Sequence, residues 1–459
     1  MPVNVGIVGG GPGGLTAGLT LLKLGGAVVT VLERGPDYAE DSVNHTNGAL
    51  TLAKNSEPIF LHLGVSDDLD STCARWTKIV RLQPQSGETE FVVDFAKMSR
   101  HADRPRSVNR KDLLRVLAKP LVDAGCVQFN KKVIRVEQQK GKGATVHFAD
   151  GTSKAFDIVI GADGINSVVT KYLSPSSTRA EAFSGVMSFY GTVSDTLTME
   201  HEHLCNPSVA MTGAVGGGMF YSYCAVSPLE NGLNSRRWHW DIRCTVDDSR
   251  QEHPESWISG AHRSNPREEL VARTAKLPSG HPLKLVLKST PDRLLRYFSL
   301  CYRPSRPRSG WSNGAVVVLG DALHNNTPDG GQGANLAVED GFVLAHCLAR
   351  NDFDPEKAFD AYYRARRARV QSVVRFSRLV NYSRHMLPAW FRPVAMFVLH
   401  GLGLVHVLRR RIVLDGMPFR NGKLMVDVAA RPTTPRLRQR KGLVGTLVAA
   451  ACAAAWLVH

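Results

Sequence analysis

VNVGIVGGGPGGLTAGLTLLKLGGAVVTVLE, residues 3–33, decides the architecture of this chain. A short apolar run, residues 3–8, ends in glycines. Residues 15–24 carry apolar positions at helical spacing, and residues 27–32 are β-branched. The order strand, glycine turn, helix, strand predicts a βαβ unit at the start of the sequence. Gly9, Gly11 and Gly14 supply the spacing G-x-G-x-x-G. The first permits a tight turn, the second lets the backbone approach a pyrophosphate, and the third lets the helix pack closely on the sheet. Free N–H groups at the helix start then face the phosphates. Glu33 ends the second strand, where an acid can accept a hydrogen bond from a ribose hydroxyl. Together these features predict a dinucleotide site. The bland reading of the same glycines, an ordinary Gly-rich turn, lacks a reason for the flanking strand, helix and acid.

Outward from this unit, a second run reads DIVIGADG at 157–164, followed by Ser167. A third reads GDALHNNTPDGGQGANLAVED at 320–340. In the third, the apolar strand AVVVL at 315–319 ends in Gly-Asp, and a Gly-rich turn opens a long helix at about 332–350. Asp321 is placed to bond a ribityl or ribose hydroxyl. The alternative is a second strand–turn–helix unit with ordinary caps. An amphipathic helix is expected at 107–122, and a β-rich stretch from about 176 to 300, with WHWDIRC as one strand. A further helix with many Arg on one face is expected at 356–385. Residues 386–408 are apolar but broken by Pro388 and Pro393, and read as a buried or interfacial hairpin rather than a span.

The three runs together resemble the class A flavoprotein monooxygenases of the para-hydroxybenzoate hydroxylase fold, over residues 3 to 385. The third run follows the salicylate hydroxylase, zeaxanthin epoxidase and meroterpenoid epoxidase branch. The resemblance implies an α/β fold: a Rossmann-like FAD-binding domain (1–67, 107–175 and 301–350) interleaved with a β-rich substrate domain (68–106 and 176–300). A C-terminal helical region (351–430) and a membrane tail (431–459) would follow. It implies FAD as cofactor, with Glu33 on the adenosine ribose and Asp321 on the ribityl chain. Gly333, Ala334 and Asn335 would lie beside the isoalloxazine ring. Asn47-Gly48-Ala49 matches a second FAD-contacting loop, Arg110 an arginine that reaches the phosphates, and Asp163 an aspartate linked to FAD and nicotinamide binding. Tyr190 stands where relatives commonly carry Arg before Gly191. That departure puts a small acidic phenol as substrate in doubt. Tyr223 falls where some relatives carry a substrate-contacting Tyr. Both are equally readable as ordinary strand aromatics.

No second G-x-G-x-x-G follows, so NAD(P)H is expected as a transient co-substrate. The implied reaction is hydroxylation or epoxidation of a lipophilic or aromatic molecule with O2 through a flavin C4a-hydroperoxide. The alternative is a flavin-dependent reductase or dehydrogenase of the same fold acting on a prenyl lipid; a binding module without turnover is a third reading. Trp238-His239-Trp240 resembles the W-x-W of flavin halogenases, but no Ile-Pro completes it, and it reads as cross-strand packing. His324 is open to two readings, a general acid–base or a turn cap.

Composition narrows the partners. Fifty-seven Lys and Arg against 41 Asp and Glu give a formal charge of +16. No RNP, zinc-finger or helix-turn-helix pattern accompanies that charge, so no nucleic-acid partner is expected. Eight scattered cysteines form no C-x-x-C pair and read as reduced core thiols. No secretory signal is recognisable at the start. From Gly442 to His459 the chain has 18 residues without a formal charge, preceded by Arg431, Arg436, Arg438, Arg440 and Lys441. At 1.5 Å per residue that is about 27 Å, enough for a bilayer core. A C-terminal tail anchor with the catalytic domain facing the cytoplasm is expected. Six of the 18 residues are Ala, which keeps a docked or interfacial helix and a disordered tail open as alternatives.

Overall fold

In this computed structural model the described residues are 2–38, 48–83, 88–94, 106–138, 143–174, 182–194, 209–215, 219–226, 237–245, 266–303, 306–387, 391, 419–420 and 423–424. The chain opens with β1 (Val3–Val8), α1 (Pro12–Leu24) and β2 (Ala27–Leu32). Next come β3 (Ala49–Leu52), α2 (Glu57–Leu63), α3 (Ser66–Thr72), β4 (Ala74–Arg75), β5 (Lys78–Leu82) and β6 (Thr89–Asp94). Then follow β7 (Arg106–Asn109), α4 (Arg110–Asp123), β8 (Val127–Gln128), β9 (Val133–Gln138), β10 (Ala144–Phe148), β11 (Ser153–Phe156), β12 (Ile158–Gly161) and α5 (Val168–Leu173).

A six-stranded sheet is built in the order β18-β19-β12-β1-β2-β8, where β18 is Ser312–Asn313 and β19 is Val316–Val318. All its neighbours are parallel except the β18–β19 edge pair. Strands β12 and β19 are buried throughout, as strands covered on both faces must be. That is why IVIG and VVV read as continuous apolar runs.

A seven-stranded, largely antiparallel sheet forms the second layer. It contains β13 (Ala182–Ser194), β14 (Val209–Val215), β15 (Met219–Ala225), β16 (Arg237–Thr245) and β17 (Arg296–Tyr302), in the order β17-β13-β16-β15-β14-β5-β6. Helices α6 (Pro266–Thr274) and α7 (Pro282–Ser289) help bury its outer face. The first crossing into this layer comes later than the expected boundary at 67/68. Leu69 and Cys73 pack into the core of the first layer, and β4 pairs with β7. After β19, the short α8 (Asp321–His324) precedes α9 (Gly333–Arg350) and α10 (Pro355–Asn381), so the helices expected at 332–350 and 356–385 are present.

None of the described cysteines forms a disulfide. The 431–459 tail and nearly all of the apolar stretch 388–408 lie outside the described residues. Among the described residues, no helix is long and apolar enough to cross a membrane.

Candidate FAD and substrate site

The turn between β1 and α1 has the form that a pyrophosphate needs. Gly9 has φ 105°, and a Cβ there would stand 2.5 Å from the Ala162 carbonyl oxygen, so only glycine fits. At Gly11 a Cβ would meet nothing within 4 Å. That side of the turn is open for a ligand's close approach. Gly14 lies against the Gly9 carbonyl. No side chain caps α1, and no acid occupies its first turn, so the positive end of its dipole is left for an anion.

Glu33 contributes in a second way that its expected ribose contact did not include. Its Oε2 accepts from the Gly10 N–H at 2.8 Å, and its Oε1 from the Gly35 N–H at 2.8 Å. Each oxygen retains a lone pair for a ribose hydroxyl. Tyr38 completes the hold: its hydroxyl donates to the Gly10 carbonyl at 2.6 Å. Burial, with Glu33 nearby, pushes the Tyr38 phenol far above its ordinary value, so it stays a donor. Sequence reasoning missed Tyr38, because no periodicity marks it.

The second and third runs converge on the same cleft. Asp163 lies beside Gly9, and its carboxylate accepts from Ser167 Oγ (2.5 Å), Val168 N (2.7 Å) and Val169 N (3.3 Å). Its visible work is therefore to cap α5, while its backbone packs against Gly9. Asp321 begins α8 with its side chain open to solvent, although protein surrounds it closely. Burial among those atoms raises its pKa, opposed by His324, Arg110 and Arg303. It is a carboxyl lining a cleft, fit to bond a ribityl hydroxyl. The Arg110 N–H donates to the Gly48 carbonyl at 2.8 Å, which brings those two expected contacts together. Asn47 lies outside the described residues.

Gly333 and Ala334 open α9, which no side chain caps, so their backbone can face a polarisable ring. The Asn335 side chain is committed within the protein. Its Oδ1 accepts from Ala53 N (2.9 Å) and Ser56 Oγ (2.8 Å), and its Nδ2 donates to Thr51 O (2.8 Å) and Gly331 O (3.0 Å). All four side-chain valences are used. The side chain ties α9 to β3 and leaves no group for a flavin; only its backbone remains available.

Behind α9 runs an ionic layer that the sequence reading did not assemble. Arg366 donates to Asp340 Oδ1 at 2.7 Å and approaches Glu339 at 2.6 Å. Arg369 forks onto Glu339 at 2.8 and 3.1 Å. Burial works to raise both carboxyls, but the guanidiniums outweigh it and hold both below their ordinary values. His324 Nε2 meets Asp340 Oδ2 at 2.5 Å, and the Gly320 N–H reaches the same oxygen at 3.2 Å. His324 thus braces the Gly-Asp turn. The signal was present as Glu339-Asp340 and an Arg-rich helix face, but only the tertiary fold pairs them.

On the sheet side, register decides which residues share a face. Tyr190 is opposite Asp241, and Asp241 opposite Ser222; directly paired residues lie on one face. Tyr190 comes within 3.7 Å of where a Cβ on Gly48 would stand, with its ring 5.9 Å from His239 and 5.6 Å from Phe298. Burial raises its phenol pKa, opposed by Arg296 and Arg110. Tyr223 is opposite Trp240, one residue out of phase, and points the other way. It stacks on Trp238 at 5.0 Å in the core beneath α7. The expectation that Tyr223 contacts substrate therefore fails: its packing makes it a core aromatic. Trp238 and Trp240 are buried in the same core, with Trp240 Nε1 donating to Thr290 at 2.8 Å, as cross-strand packing predicts.

The family described as "FAD binding domain" matches residues 2–277 and 291–377. The chain belongs to this FAD binding domain family. Among its relatives is 3-amino-4-hydroxybenzoate 2-monooxygenase PtmB3 of Streptomyces platensis, 28% identical over 83% of this chain and 89% of that protein. Salicylate hydroxylase of Pseudomonas putida is 27% identical over 80% and 84%. Aurachin C monooxygenase/isomerase of Stigmatella aurantiaca is 27% identical over 75% and 80%. The structure of Klebsiella pneumoniae HpxO complexed with FAD and uric acid superposes with a TM-score of 0.71 at 23% identity, covering 90% of this chain and 97% of that one; it shows the shared fold. This flavoprotein is accordingly a flavin-dependent monooxygenase with FAD as cofactor.

Proposed function

We propose that this monooxygenase uses NAD(P)H and O2 to hydroxylate or epoxidise an aromatic or lipophilic small molecule held between the FAD-binding cleft and the Tyr190 face of the seven-stranded sheet. The observation that carries this reading is the approach of Tyr190 to Gly48, because Gly48 is joined to Arg110 at the cleft. Bound FAD supplies hydride acceptance and reductive activation of oxygen. The chain's own residues hold it: the open turn at Gly11 and the α1 N-terminus take the phosphates, and Asp321 takes a polyol hydroxyl. Tyr190, Phe298 and His239 offer aromatic surface and polar edges to orient a substrate. The relatives' aromatic substrates favour an aromatic ring here too. The buried seam between the layers, where Trp76, Ala210, Cys224 and Val226 pack with Ala49 and Ile79, keeps water from one side.

The C-terminal stretch 431–459 belongs to the same proposal as a membrane anchor that keeps the catalytic domain on the cytoplasmic side, near a lipophilic substrate. Its basic flank and uncharged run support that reading. The test of activity is NAD(P)H oxidation and oxygen uptake against phenols, quinones and terpenes, with mass detection of oxygenated products. Substrate-stimulated uptake with oxygen incorporated supports the reading. Double-bond reduction without oxygen uptake would replace it with a prenyl reductase.

A further inference from the structure

Asp329 lies in the loop between α8 and α9, outside every residue set assigned above, and its side chain is wholly buried. Four groups from two other parts of the molecule surround it. Arg243 of β16 approaches at 3.0 Å. Asn381, the last residue of α10, donates to its Oδ2 at 2.9 Å. Arg384 and His385, in the π-helical turn after α10, stand at 3.5 and 3.7 Å. Arg243 also pairs with Asp241 at 2.8 Å, and Asp241 accepts from Ser222. The Arg384 guanidinium covers the Phe220 ring at 4.6 Å. One carboxylate thus joins the Gly-rich loop, the seven-stranded sheet and the end of α10.

The loop it holds has little other freedom to be held elsewhere. A Cβ on Gly330 would stand 2.5 Å from Ser377 Oγ, and Gly331 adopts a left-handed φ of 62°. Two residues later the chain enters the first turn of α9. A buried carboxylate balanced by two guanidiniums is costly to disturb from either side, because the survivor is left charged and unpaired. Asp241, Arg243 and Ser222 also lie on the same sheet face as Tyr190.

We propose that Asp329 is a positioning residue for the FAD site: its bridge to Arg243 fixes the 327–332 loop, and with it the first turn of α9, against the sheet. The inference needs FAD binding but no particular substrate, so it survives if the monooxygenation reading fails. The test is titration of FAD into the full-length apoprotein, followed by quenching of FAD fluorescence, for Asp329→Asn, Arg243→Met and the double variant. All are measured well below each variant's Tm. Each single variant is expected to weaken FAD by about tenfold, and the double variant no more than the weaker single, since both break one bridge. A purely structural bridge would lower Tm and leave FAD affinity at the wild-type value; that result, or strictly additive losses, overturns the proposal. If Asp329→Asn does not fold, Arg243→Met and Arg384→Met decide it by the same criterion.

Discussion

Tyr38 and Tyr190 carry different loads, and single substitutions separate them. Tyr38→Phe removes one buried hydrogen bond to Gly10, worth about 1 kcal/mol. Because the Glu33 contact persists, the apoprotein should stay folded while FAD titration shows weaker binding. Tyr190→Phe should leave FAD affinity unchanged and alter KM for the aromatic substrate in steady-state assays. Tyr223→Ala should behave as a core truncation and cost about 3–5 kcal/mol in denaturant unfolding, with KM unaffected if the protein is assayed where it is folded. His239 adds a pH dependence. Burial lowers its pKa to about 4, helped by Arg243 and opposed by Asp241. The unfolded chain then binds more protons than the folded one between the ordinary value and 4, so stability rises with pH across that window. Falling from pH 7 to 5 should cost about 2 kcal/mol through this group, and His239→Gln should flatten that part of the Tm–pH curve.

At the scale of elements, α9 and α10 are joined by the Glu339, Asp340, Arg366 and Arg369 layer. Arg366→Met leaves two buried carboxylates undercompensated and should destabilise by about 3–5 kcal/mol in urea unfolding. Both carboxyls are held below their ordinary values, so their contribution is present above the ordinary carboxylate range and is lost as pH falls through the folded values. Much of the element order was legible in the sequence. The βαβ start, β12 and β19 are fully buried strands or tight-turn units, whose patterns are local and strong. What escaped was pairing between distant elements. Asn335 looks like a ligand-facing polar residue until Ala53, Ser56 and Thr51 are brought beside it. Tyr223 looks like Tyr190 until register puts the two on opposite faces. A one-residue phase difference changes which side a strand residue serves, and no local pattern fixes that phase against a partner strand.

For the whole molecule, the two layers meet at a seam that is apolar around Trp76 and Cys224 and ionic around Asp329. The cleft expected to take FAD and the Tyr190 face lie along this seam. A protein deleted of residues 431–459 should lose co-sedimentation with anionic vesicles while its FAD spectrum is unchanged. Retention of full vesicle binding would assign membrane contact to another surface. The order of the six-stranded sheet has a separate consequence for biosynthesis. The central strand β1 ends at Val8, yet its neighbour β12 begins at Ile158 and β19 at Val316. The ribosome therefore delivers one half of the nucleotide cleft long before the other. At roughly 5–20 residues per second the wait lasts on the order of 15–60 s. During that interval the nascent chain exposes an apolar sheet edge, first at β1 until β12 is made and then at β12 until β19 follows.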